Sequence, residues 1–145
     1  MDVGRTRRGG KLAGLIRNPV VIAALIFLLN VVLSNIIAVA LTLLNIKNSS
    51  IITFGGLMAA YVIGIIHAAT VKEPMPKRTK IIATVLYTLA GIAVTVITLI
   101  AAGLSIIQQP ALTISIGLSI VYAVVIYFFM GLGEKPILRA TQKRS

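Results

Sequence analysis

Residues 55–80 read GGLMAAYVIGIIHAATVKEPMPKRTK. An apolar run bearing the chain's single histidine stops at Val71, and ten residues later the chain is apolar again. Between the two lie two prolines, one acid and four basic residues. Proline lacks an N–H and restricts the residue before it, so Pro74 and Pro76 end a helix. The run before the break and the run after it are each longer than the ~20 residues that cross a ~30 Å hydrocarbon layer. The stretch thus reads as a membrane span, a short polar turn and the start of another span.

Working outward, two more such runs appear. The apolar blocks are 20–44, 51–71, 81–107 and 111–132, and none contains Asp, Glu, Lys or Arg. The remaining segments are a basic tail (1–19), a connection (45–50), the basic loop (72–80), a turn (108–110) and a basic tail (133–145). The fold class expected is an all-α integral membrane protein, a bundle of four transmembrane helices. Of the 145 residues, 58% are hydrophobic and 12% charged, about half the charge of ordinary soluble domains. A soluble chain this small has too much surface to hide that apolar content. Its helices would also each show a polar face, and these show only scattered Asn, Ser, Thr and Gly. The run from Val20 to Ile37 is too long for a signal-peptide core of ~7–15 residues, so the first helix is read as retained.

Charge sets the orientation. Thirteen of the fourteen basic residues fall in the two tails and the 72–80 loop, and Lys47 is alone on the other side. The positive-inside rule then puts both termini and the loop in the cytoplasm of a cell membrane. Lys72, Lys77, Arg78 and Lys80 are assigned to anionic headgroups, each adding ~1 kcal/mol of attraction. The net charge of +11 does not imply nucleic acid, because no aromatic residues interleave with the basic ones.

A shift of 61 residues aligns 17–73 with 78–134 without a gap. Twelve positions match, among them Arg17 with Arg78, Tyr61 with Tyr122 and Glu73 with Glu134. The matches fit either a tandem two-helix hairpin or two similar hydrophobic hairpins under the same lipid constraint; on the tandem reading, two hairpins with the same orientation predict a pseudo-twofold axis along the membrane normal.

Helices in lipid associate through small residues and polar contacts. The second span has Gly56, Ala60, Gly64 and Ala68 at four-residue spacing, and the fourth has Ala111, Ser115, Ser119 and Ala123. These are read as packing or partner-contact positions. Thr84, Thr88, Thr95 and Thr98 of the third span, with Gly91, make a heptad-like seam. Asn30, Ser34 and Asn35 are the polar residues of the first span. Asn30 and Asn35 point about 140° apart, so they share no face, and Thr95 or Ser119 is the partner expected for a buried amide. His67 lies four residues from the end of its span and is read as an interfacial histidine bonded to a carbonyl or headgroup, with a pH-sensing role as the alternative.

With no cysteine, thiolate chemistry and disulfides are excluded. No span holds a carboxylate, no His/Asp/Glu cluster offers metal ligands, and no phosphate loop or nucleophile elbow is present. No catalytic, cofactor or metal residues are assigned, and an enzyme is not expected. The function expected is a non-catalytic accessory or assembly subunit that binds other membrane-protein subunits, or itself, through small-residue faces. The alternative is an oligomeric small-solute channel or pore, including a holin-like lesion former.

Overall fold

The computed structural model describes residues 12–46, 54–103 and 110–143, with residues 110–113 and 115 as backbone only. The described residues are helical without a strand. The four long helices are α1 (Pro19–Leu43), α2 (Phe54–Val71), α3 (Lys77–Ala101) and α4 (Pro110–Gln142). Each is long and apolar enough to cross a membrane. Residues 12–17 add a short helical turn before α1.

The helix ends follow local chemistry. At the start of α1 the Asn18 side chain accepts the Val20 N–H at 2.9 Å, and Pro19 takes the first helical position, where no N–H is missed. Its last turn closes with Asn45 at φ 54°, the Asn45 N–H on the Thr42 carbonyl and the Ile46 N–H on the Leu41 carbonyl. That is a Schellman closure with asparagine in the left-handed position. α2 ends with Lys72 at φ 60° and its N–H on the Ala68 carbonyl. α3 ends on Gly103 at φ 70°.

Two boundaries differ from the hydropathy reading. α3 begins at Lys77, not at Ile81, so Lys77, Arg78 and Lys80 stand on a helix and not in a loop. Pro76 is its N-cap, and the Lys80 N–H bonds the Pro76 carbonyl. α4 does not end at Leu132. It runs on through Glu134, Lys135 and Pro136 to Gln142. Hydropathy marks where a helix leaves an apolar layer, and the backbone ladder goes on past that point. Residues 104–107 of the expected third span, 51–53 of the second, and most of both expected outer connections lie outside the described residues.

α2 packs along α4, and α1 packs on α2. α3 touches α1 and α4, and the diagonal pairs α2/α3 and α1/α4 scarcely meet. Neighbours 56–122 and 64–130 rise together, so α2 and α4 are parallel. The two hairpins are therefore stacked like on like, α1 facing α3 and α2 facing α4. This corrects the expected twofold, which would set like helices diagonally. The cause is the close approach of α2 and α4. A Cβ on Gly64 would fall on the Met130 carbonyl, and one on Gly133 on the Tyr61 carbonyl.

The core holds Ile22, Ile26, Ala59, Ala60, Ile63, Met75, Ala83, Tyr87, Ile126 and Met130. These come from the first half of α1 and α3, the middle of α2, the connector and the second half of α4. The bundle is thus tightest at the end that carries the basic segments. Toward the other end the side chains of α1 and α3 become exposed.

Candidate functional site

The tight end closes around one carboxylate. Glu134 is 3% exposed. Its Oε1 accepts the Met75 N–H at 3.0 Å, and its Oε2 accepts the Lys80 Nζ at 2.7 Å. His67 Nδ1 stands 3.9 Å from Oε1, with the ring fully buried. Helix geometry explains the grouping. Ile126, Met130, Gly133 and Glu134 follow one face of α4, and Gly133 lets that face approach α2 until His67 and Glu134 meet. A second ion pair, Arg17 to Glu73 at 3.4 Å, lies in the open beside it. Each hairpin is thus closed by an ion pair to one of the two glutamates that the 61-residue shift aligns.

This arrangement changes three readings. His67 does not reach a headgroup; α4 covers it. Lys80 is not a free headgroup contact, since its side chain is 12% exposed and bound to Glu134. Glu134 is not part of a solvated tail. Lys72, Lys77 and Arg78 are exposed, as are Lys135 and Arg139.

A second polar group lies midway along the bundle. Asn30 Nδ2 donates to the Tyr87 hydroxyl at 2.9 Å, and the Ser34 hydroxyl donates to Asn30 Oδ1 at 3.0 Å. The partner of Asn30 is therefore Tyr87, not Thr95 or Ser119. Tyr87 also meets Phe27 edge-on, at 6.4 Å between centroids. Gly55 leaves room for Ser34, and Gly56 for the hydroxyls of Tyr87 and Tyr122. Asn35 faces away and bonds the Val31 carbonyl of its own helix at 2.7 Å.

Gly56, Ala60, Gly64 and Ala68 are all buried inside the bundle, together with Gly55, Ala59 and Ile63. This ridge is occupied by the chain's own helices. On α4, Ser119 and Ala123 are half-buried, while the side chains of Ala111 and Ser115 lie outside the described residues. Ser119 lines an apolar cleft of about 580 Å³ with Phe54, Leu57, Leu118, Tyr122 and Val125. The threonine seam of α3 is split. Thr84 is buried, Thr88 is half-buried, and Thr95 and Thr98 are exposed. Thr88, Thr95 and Thr98 each bond a carbonyl one turn back in α3, at 2.8–2.9 Å. Nothing lies within 4 Å of a Cβ built on Gly91.

Tyr87, Gly55 and Gly133 were not singled out by sequence reasoning, and Glu134 and Tyr122 entered it only as matches of the 61-residue shift. Glu134 had one signal, its alignment with Glu73, and Gly133 had none. Among the described residues no three His, Cys, Asp or Glu side chains are grouped as metal ligands. Comparison with protein-family models, with curated proteins and with solved structures finds no match.

Proposed function

We propose that this chain is a non-catalytic accessory or assembly subunit of a larger membrane complex, seated in the cell membrane with both termini in the cytoplasm. The carrying observation is the face of α3 that begins in the core at Thr84 and emerges at Gly91, Thr95 and Thr98. One helix face usually has one kind of neighbour along its length. Here the inner half has the bundle, and the outer half is small, weakly polar and open. A small-residue face lets another helix backbone approach closely. Because the threonine hydroxyls are already bonded to their own helix, the face needs no water to satisfy it. That favours a helix of another subunit over a wet pore axis.

The test is photo-crosslinking from Thr98 in membranes of the native host, with Leu89, on another face of α3, as the control. A discrete adduct with a different membrane protein from Thr98, and lipid adducts alone from Leu89, supports this reading. Lipid adducts alone from both positions overturn it. Adducts between copies of this chain, accompanied by solute leakage from vesicles, establish the oligomeric pore instead.

A further inference from the structure

The connection between α2 and α3 hangs on one side chain. Lys72, Glu73 and Pro74 face outward, whereas Met75 turns in and is 3% exposed. Its N–H is held by Glu134 Oε1, and Lys80, one turn into α3, is held by Oε2. α4 therefore grips both the connector and the first turn of α3 through Glu134. The connector starts under strain. Lys72 sits at φ 60°, a region that residues with a Cβ rarely enter. Its N–H bonds the Ala68 carbonyl, and the next point at which the connector is held is Met75.

His67 lies directly against the grip. Its Nδ1 is 3.9 Å from the same oxygen that takes the Met75 N–H. Neither ring nitrogen has a hydrogen-bond partner. A neutral imidazole has one donor and one acceptor, and buried polar atoms are nearly always paired. A separation of 3.9 Å is too long for a hydrogen bond, yet a shift of about 1 Å by two side-chain ends closes it. Charged groups act on His67 from every side: Arg17 from the turn before α1, Glu73 from the connector, Lys80 from α3 and Glu134 from α4. Two are cations and two are anions, and Glu134 is the one in contact.

We propose that His67, Glu134 and Lys80 form a proton-operated latch on the 72–76 connector. A proton from the aqueous phase adds to the imidazole lone pair. The imidazolium Nδ1–H then donates to Glu134 Oε1. That oxygen moves toward His67 and leaves the Met75 N–H, while Lys80 keeps Oε2. The strained connector is freed at Met75 and remains tethered at Lys80. Loss of the proton restores the first state, and no other reactant takes part.

The chain has one histidine and four methionines, so selective nitrogen labelling gives few, assignable NMR signals. The full chain in lipid nanodiscs is titrated from about pH 8 to about pH 4.5, a range spanning ordinary histidine behaviour. The expected result is an imidazole that titrates with one midpoint and a Met75 amide proton that moves upfield with the same midpoint. The Met58 and Met130 amides stay still. In His67→Gln the Met75 amide no longer follows pH. An imidazole that never protonates in this range overturns the latch. So does one that titrates while the Met75 amide stays unchanged. Both decisive readings come from the wild-type chain, so the outcome does not depend on the variant folding.

Discussion

Removing the Glu134 carboxylate leaves the Lys80 ammonium and the Met75 N–H without their partner at once. Breaking a buried pair by deleting one member costs about 3–5 kcal/mol. Lys80 keeps a little access to solvent, which favours the lower figure. Glu134→Ala is therefore expected to destabilise the chain by about 3 kcal/mol in detergent unfolding. Glu73→Ala removes an ion pair whose two side chains are 58% and 69% exposed. Its cost is expected to stay within about 1 kcal/mol. Equal losses from the two variants would show that burial of Glu134 contributes nothing. At this scale the sequence was least informative. Both glutamates follow an apolar run, and Glu73 faces outward while Glu134 faces inward. The difference depends on which helix lies beside each, and no local pattern encodes that.

Between elements, the α2–α4 contact is set by two glycines that meet opposing backbones. Side-chain ends can move aside, but the carbonyls of Met130 and Tyr61 belong to helices and cannot. Gly64→Leu and Gly133→Ala are each expected to lose about 2 kcal/mol or more, the cost of overpacking. Gly91→Ala meets nothing and is expected to gain up to about 1 kcal/mol, because alanine favours a helix interior. Matching changes in all three would mean that the helices do not approach as described. The ridge containing Gly64 was legible from its four-residue spacing; Gly133 was not, because it has no small-residue partner at that spacing on the buried face. Helix ends were also only partly legible. Charges at 77–80 and 134–139 mark the end of an apolar layer, and α3 and α4 continue through them. α4 does so despite Pro136, which gives its carbonyl partner at Leu132 no N–H. Pro136→Ala is accordingly expected to slow hydrogen exchange at Arg139 and Ala140 by about tenfold or more, well within a proline penalty of ~3 kcal/mol. Unchanged exchange would mean that residues 137–142 gain nothing from an unbroken ladder.

For the whole molecule, the four-helix architecture was legible because each span is a long uncharged run. The packing of the two hairpins was not, since rotation and stacking bury similar apolar faces, and the choice falls to the two glycine contacts. The stacking has an electrostatic consequence. The Arg17–Glu73 and Lys80–Glu134 pairs and the Met75 contact bring the start of α1, both ends of the connector and the end of α4 to the same side. The basic residues among those described thus share one face, and two of these cations, Arg17 and Lys80, are neutralised there by partners in the chain. In the proposed orientation the exposed remainder, Lys72, Lys77, Arg78, Lys135, Arg139 and Lys143, faces the cytoplasm, the side on which such residues are retained. A chain without cysteine allows this to be read with single labels. Pro74→Cys, exposed in the connector, is expected to resist an impermeant thiol reagent in intact cells and to react after permeabilisation. Leu44→Cys, at the opposite end and 68% exposed, is expected to react from outside without permeabilisation. The reverse pattern would invert the molecule, and the His67 latch would then answer to the pH of the outer phase instead of the cytoplasm.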